Sequence, residues 1–275
     1  MTQSSATLAR VRVDPANPGQ FFACCGVLEL ADRLWGGAVG WFEDDSFCLR
    51  PLTEPALPTS LAELVGAIAH VPLRQIELDD DFSSPVEIPD PFGLRLDWWK
   101  DHRSGGDRLK VWAGSMRSVR IARAMQSELT RAGFQDESLL DRATVVYDPL
   151  EPDKKVEPFY FDARRGSNSQ PIDIGFSPDS LQMTSAAYPA VEFLCLVGLQ
   201  RFRPAPTSKR RVFHYYTWRS PLAPSVASLA ACGVLDQIGA GGFRFENAFR
   251  TDQRKHKAFT AATPIERNDN GSSTQ

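Results

Sequence analysis

Apolar and polar residues alternate from Leu8 to Val13, the pattern of a strand, and the spacing then changes to that of a helix. Asn17-Pro18-Gly19-Gln20 marks the change. An asparagine can accept from the free amides of a first turn, proline suits the first helical position, and a glutamine at the third can reach back to the cap. Phe21, Phe22, Cys25, Leu28, Ala31 and Leu34 turn this helix toward a core, and Gly36-Gly37 ends it. Short strands around Trp41 and from Phe47 to Leu52 read as a hairpin. A linker spaced by Pro51, Pro55 and Pro58 leads to a helix over Leu61 to His70. Gln75 to Trp112 reads as strand and loop, broken by prolines and by Gly105-Gly106.

The second half is equally patterned. Ser115 to Ala132 is the clearest amphipathic helix, with Ser115 as its cap and Gly133 as its stop. Ile121, Ala122, Met125 and Leu129 share one face, and Arg117, Arg120, Arg123 and Arg131 the other. Strands are expected near Ala143 to Tyr147 and Glu157 to Phe161, followed by a polar loop over Arg164 to Ser169. Pro189 to Gln200 is apolar almost all round, with Glu192 its only charge, and reads as a buried central helix. Arg210 to Arg219 reads as a strand, Ser225 to Ile238 as a helix and Phe243 to Phe249 as a strand. These elements predict an α+β fold, an antiparallel or mixed sheet packed by several helices. With no long linker, residues 1–265 read as one α+β unit, divisible into two lobes at about residue 140, and 266–275 as a disordered tail. A short echo links Cys25-Gly26-Val27-Leu28-Glu29 with Cys232-Gly233-Val234-Leu235-Asp236; two copies do not establish a repeat.

Composition adds exclusions. The 275 residues are 42% hydrophobic and 24% charged, ample for a core without staples. No apolar run approaches the roughly 20 residues of a membrane helix. The start, Met1 to Ser5, carries no basic or apolar signal region, and the five cysteines form no C-x-x-C, so reduced thiols in a cytoplasm are expected. Formal net charge is -3, yet the charge is segregated. Acidic stretches (Glu77 to Asp101 and Asp136 to Asp153) alternate with basic ones (Arg103 to Arg123 and Arg201 to Arg219), and Arg250, Arg254, Lys255 and Lys257 form a third basic cluster. A nearly neutral chain can thus present basic surfaces to phosphate.

Searches for catalytic chemistry return little. The chain has no phosphate-cradling G-x-x-x-x-G-K-[ST] loop and no G-x-S-x-G elbow. Gly239-Ala240-Gly241-Gly242 follows a helix, the wrong context for a dinucleotide fingerprint, and the four histidines lack metal-ligand spacing. The one enzymatic alternative is a metal-dependent nuclease using Asp90 and Asp97 with Lys100. On a strand, Asp97 and Lys100 would point to opposite faces, which counts against it, and Asp107 with Lys110 fails in the same way. No catalytic residue, metal ligand or cofactor is expected.

Binding features are richer. Trp98, Trp99, Lys100, Arg103, Lys110 and Trp112 interleave rings with cations, and Lys209, Arg210, Arg211, Tyr215, Trp218 and Arg219 do so again. Rings can stack on bases while cations meet phosphates, which is what single-stranded nucleic acid requires. Equally, the same rings could be core and the arginines solvated. Arg117 and Arg120 on the amphipathic helix, and Arg164 and Arg165 in the polar loop, complete the nucleic-acid-binding candidates.

Five segments also resemble a known family: Asp14 to Gln20, Leu109 to Gly114, Phe159 to Gly166, Asp173 to Ser177 and Gly198 to Pro204. They are similar to the small, Cas-eight-like CRISPR-associated subunit family Csb-three of subtype I-G (formerly I-U) effector complexes. The resemblance spans about residues 8 to 220. It implies a non-catalytic, cytoplasmic subunit of a crRNA-guided surveillance complex of the Cascade type, acting in antiviral defence. The implied partners are crRNA, target DNA, the backbone and crRNA-processing subunits and a recruited helicase-nuclease, with no membrane. The family supplies no active-site residue to carry over, so the candidate residues rest on charge and aromaticity.

Overall fold

A computed structural model describes residues 8–53, 59–76, 83–113, 116–166, 186–235, 239–250 and 256–265. It has an α+β architecture. Strand β1 (Ala9–Arg12) leads into helix α1 (Pro18–Trp35), followed by the hairpin β2 (Ala38–Glu43) and β3 (Ser46–Pro51). Helix α2 (Leu61–His70) precedes three short strands, β4 (Arg74–Gln75), β5 (Val86–Ile88) and β6 (Leu94–Leu96). A 3-10 turn over Trp98–Lys100 and the single-turn helix α3 (Gly106–Leu109) lead to α4 (Ser118–Glu128). The hairpin β7 (Tyr147–Asp148) and β8 (Glu151–Lys155) and the turn α5 (Ala163–Gly166) come before α6 (Pro189–Gly198). Last come β9 (Ala205–Pro206), β10 (Val212–Trp218), α7 (Pro224–Ala231), β11 (Gly239–Phe249), β12 (Lys257–Phe259) and β13 (Thr263–Ile265).

Every described strand pairing is antiparallel. One sheet has the order β1-β3-β2, and the largest runs β12-β11-β10-β9 with β13 also on β11. The first helix forms as its sequence predicts. Asn17 Oδ1 accepts from the Gly19 and Gln20 amides at 3.1 and 3.4 Å, and Gly36 closes the helix in the left-handed region at φ 70°. Gln20 reaches back further than expected, to the amide of Asp14 at 2.7 Å, so the preceding loop is fixed as well.

Other elements shift for local reasons. The amphipathic helix is shorter than the expected 115–132, Ser115 lies outside the described residues, and Arg117 takes the cap position. Ile121, Ala122, Met125 and Leu129 are all buried, as predicted. Instead of strands at 143–147 and 157–161 there is one hairpin at 147–155, because Asp148 accepts from the Leu150 amide and turns the chain. The Phe161 and Asp162 amides bond to Glu192 rather than to a ladder. Helix α7 stops at Ala231, and the expected 236–238 end lies outside the described residues, as do the acidic run 77–82, Asp173 to Ser177 and the tail 266–275. The sequence echo has no structural counterpart: Gly26 sits inside a helix, whereas Gly233 follows one at φ 78°.

Helices α1 and α6 cross with their backbones touching. A methyl group at Gly26 would overlap the Leu194 carbonyl, and one at Gly198 would overlap the Phe22 carbonyl. Both partners are main chain, so neither can swing aside. Gly26→Ala or Gly198→Ala is therefore expected to destabilise the fold by about 3 kcal/mol or more, at or beyond the usual range for overpacking, as a drop in urea midpoint at unchanged slope. Gly66→Ala on α2, where a methyl would meet nothing within 4 Å, is the matched control.

Candidate nucleic-acid interface

The structure places twelve of the thirteen candidate side chains, in very different surroundings. The aromatic members belong to the core. Trp98 is fully buried and Trp99 and Trp112 are each 3% exposed; they pack edge to face at 5.2–5.9 Å between ring centroids. The Trp98 and Trp99 indoles donate to the Leu196 and Ser83 carbonyls at 3.0 and 2.9 Å. Trp218 is fully buried against Phe42 and donates to the Gly40 carbonyl at 2.8 Å. The reading of Trp99 and Trp218 as stacking platforms is thus corrected: neither offers an open face to a base. Phe92 and Phe202 are buried as well.

Several cations serve the fold. Arg164 is the clearest correction, because its guanidinium pairs with the fully buried Asp162 at 2.6 Å and with Asp141 at 3.2 Å. It also donates to the Leu140 carbonyl and lies 3.4 Å over the Tyr188 ring. Asp162 in turn holds Asn17 Nδ2 at 3.0 Å, so Arg164 neutralises a charge at the root of α1. The side chain of Arg165 lies outside the described residues. Arg120 pairs with Asp148 at 2.5 Å and Glu151 at 3.4 Å. Arg201 pairs with the buried Glu29, and Arg203 lies over Trp98. Arg117 is exposed and lines a recess of about 280 Å³ with Arg120, Lys155 and Glu157. A second recess of about 450 Å³, lined by Arg12, Asp14, Asp44, Asp45, Asp141 and Arg164, is mainly acidic.

What remains converges unexpectedly. Lys110 caps α3, Lys209 and Arg210 are exposed just before β10, and Arg211 is half-buried with its backbone left-handed at φ 65°. Strand β12 brings Lys257 to them, its amide bonding to the Val111 carbonyl at 3.0 Å. Phe249 is the direct cross-strand partner of Lys257, and Arg211 lies 4.5 Å over the Phe249 ring. The buried Asn247 fixes the third side by donating to the Arg108 carbonyl at 2.7 Å. Lys110 sits 5.2 Å over Trp112 and donates to Ser83 Oγ at 2.5 Å. Two clusters that the sequence keeps a hundred residues apart therefore meet at a lysine from the third. Burial, with Arg211, Lys110 and Arg210 close by and Asp107 opposing them, pushes the Lys257 ammonium from 10.5 down to about 8. Lys257 was visible as a basic residue; what sequence lacked was the packing of β12 on Val111. Lys100, Arg103 and Arg219 do not appear in this group: Lys100 is half-buried, and the other two are exposed.

Asp97 precedes a 3-10 turn instead of lying in a strand, so the opposite-face argument lapses; its carboxylate instead pairs with Arg95 at 2.9 Å. Among the described residues no group of three or more His, Cys, Asp or Glu side chains could hold a metal ion, and no helix is long and apolar enough to cross a membrane. All five cysteines are free; Cys24, Cys25 and Cys195 are fully buried, and burial pushes their thiols well up, away from the reactive thiolate. No protein-family model matches the chain, and no curated protein matches it significantly.

Two predictions follow from the placement of the cations. Arg164→Ala should strand the buried Asp162 and cost about 3–5 kcal/mol of stability, read as lost cooperative melting before any binding is measured. Lys257→Met should do the reverse. With its folded value lowered to about 8, Lys257 is charged at a net cost below that pH, and stability should rise as pH climbs from about 8 toward 10.5. Removing the charge should therefore raise the melting temperature at pH 7 by the equivalent of roughly 1–3 kcal/mol and flatten that alkaline rise.

Proposed function

We propose that this chain is a non-catalytic subunit of a crRNA-guided CRISPR surveillance complex of the Cascade type, subtype I-G, contributing nucleic-acid contacts to target-DNA recognition in antiviral defence. The observation that carries this reading is the meeting of Lys110, Arg210, Arg211 and Lys257, four cations drawn from three distant parts of a chain whose net charge is negative. Such a face engages phosphate without imposing sequence, the contribution expected of a subunit when base pairing to a guide does the reading. The family resemblance supports it from another side. Asp14 to Gln20 and Phe159 to Gly166 meet through Asn17 and Asp162, and Gly198 makes the helix crossing, so three of the resembling segments help build the frame. Its partners in this reading are crRNA, target DNA, backbone and crRNA-processing subunits, and a recruited helicase-nuclease.

A tagged chain expressed in its native host should copurify with crRNA and further subunits. Nucleic-acid binding by that assembly should fall steeply with salt, while the isolated chain binds weakly. Labelled DNA and RNA incubated with the chain and magnesium or manganese should stay intact. Purification of the chain alone, free of RNA, would overturn the proposal, and cleavage lost on Asp97→Ala would replace it with the nuclease.

A further inference from the structure

The cluster where α3, the start of β10 and β12 meet has the construction of an oxyanion site. Among the described residues four cations meet two carboxylates there: Lys110, Arg210, Arg211 and Lys257 against Asp107 and Glu246. Glu246 is 3.6 Å from Arg211 and half-exposed, while Asp107 Oδ2 lies 3.4 Å from His102 Nδ1. Lys257 forms no ion pair with a described carboxylate. The Arg211 Nε is buried without a hydrogen-bond partner, although the ring of Phe249 holds its guanidinium in place. A non-glycine residue in the left-handed region adds backbone strain at the same point. A like-charged, partly dry cluster is costly to fold, and an anion that accepts from Arg211 and Lys257 together offsets both costs.

We infer that Arg211 and Lys257 form the centre of a phosphate-type oxyanion site, with Lys110 and Arg210 at its margin, taking a backbone phosphodiester when the ligand is a nucleic acid. This rests on the nucleic-acid reading above only for the source of the anion. Two bidentate or charge-assisted donors on a half-buried floor suit a tetrahedral oxyanion, and a phosphodiester presents two free oxygens to them. Binding an anion stabilises the ammonium form, so the site takes up a proton where Lys257 is part-neutral. Affinity therefore falls as pH rises through about 8, set by Arg210, Arg211 and Lys110 against Asp107 and Glu246.

The test uses the full chain at low salt, with a short single-stranded oligonucleotide and, separately, inorganic phosphate as probes. Lys257 is followed by NMR of its ε-methylene, and binding by anisotropy. With wild type, either probe should move the Lys257 titration upward. Arg211→Gln with Lys257→Gln should weaken oligonucleotide binding about tenfold and make its log–log salt slope shallower by about 1.4, roughly 0.7 for each cation removed from a single strand. Lys257→Arg should keep the affinity and lose its decline above about pH 8. Arg10→Gln with Arg74→Gln, exposed and outside the cluster, is the charge-matched control. If wild type binds the oligonucleotide and the double variant, still folded by its melting curve, binds equally well, the site is overturned while the nucleic-acid reading stands. If phosphate shifts Lys257 and the oligonucleotide neither shifts it nor binds at low salt, the site stands with a small anion as its ligand and its assignment to a backbone phosphodiester is overturned. If neither probe shifts Lys257, the site is overturned.

Discussion

Two glycines on facing helices, Gly26 and Gly198, set the distance on which the other contacts depend. Because each presents no side chain, the backbones of α1 and α6 touch, and α6 lies buried along its whole length. That depth forces an answer for Glu192, a carboxylate with no exposed surface. Its two oxygens accept from the Phe161 and Asp162 amides at 3.1 Å, so the acid substitutes for a strand partner in the segment beside it. Asp162 is thereby carried to the start of α1, where Asn17 takes its carboxylate with one side-chain atom and caps the helix with another. Burying a charge is costly unless hydrogen bonds and counter-charge satisfy it, and here main-chain amides and Arg164 do so.

The same crossing positions the basic cluster. The Trp98 indole bonds to the Leu196 carbonyl on α6, which anchors the tryptophan cluster, and Trp112 extends it to Phe159 and Phe161. Phe161 packs on Phe259 of β12 at 5.3 Å, and the Phe259 amide bonds to the Tyr160 carbonyl. Strand β12 is thus fixed two residues from Lys257. A cation that is poorly solvated can be held there because its strand is attached to the core on both sides, to Val111 and to Tyr160.

Features whose cause is local were legible in the sequence. The cap, the proline and the closing glycine of α1 act within a few residues, and α2, α6 and the hairpin β2–β3 likewise follow from spacing and turns. Features whose cause lies elsewhere in the chain were not. Gly26 looks like a weak point in a helix until Leu194 is opposite it. Trp98 and Trp99 alternate with basic residues and look like a stacking surface, but the 3-10 turn over Trp98–Lys100 directs both indoles to carbonyls in the interior. Arg164 looks like a free loop cation because nothing nearby in sequence says that Asp162 is buried.

That last point decides how basic residues should be weighed in a chain of this kind. Charge alone does not distinguish Arg164 or Arg201 from Arg211, since each has another arginine beside it or within two residues. The distinction is what each cation faces. Arg164 and Arg201 face carboxylates that are at most 2% exposed, so their charge is used internally, and an approaching phosphate would have to displace a buried acid. Arg211 faces a half-exposed glutamate at 3.6 Å, a ring and other cations, so its field is left largely uncompensated. Lys257 is the extreme of this second kind, a lysine whose surroundings make its own charge unfavourable. Groups that lower stability in the free protein recur at functional sites, where stability is traded for activity. The arginines that hold the fold together are therefore poor candidates for contact with nucleic acid, and the cations that strain it are the better ones.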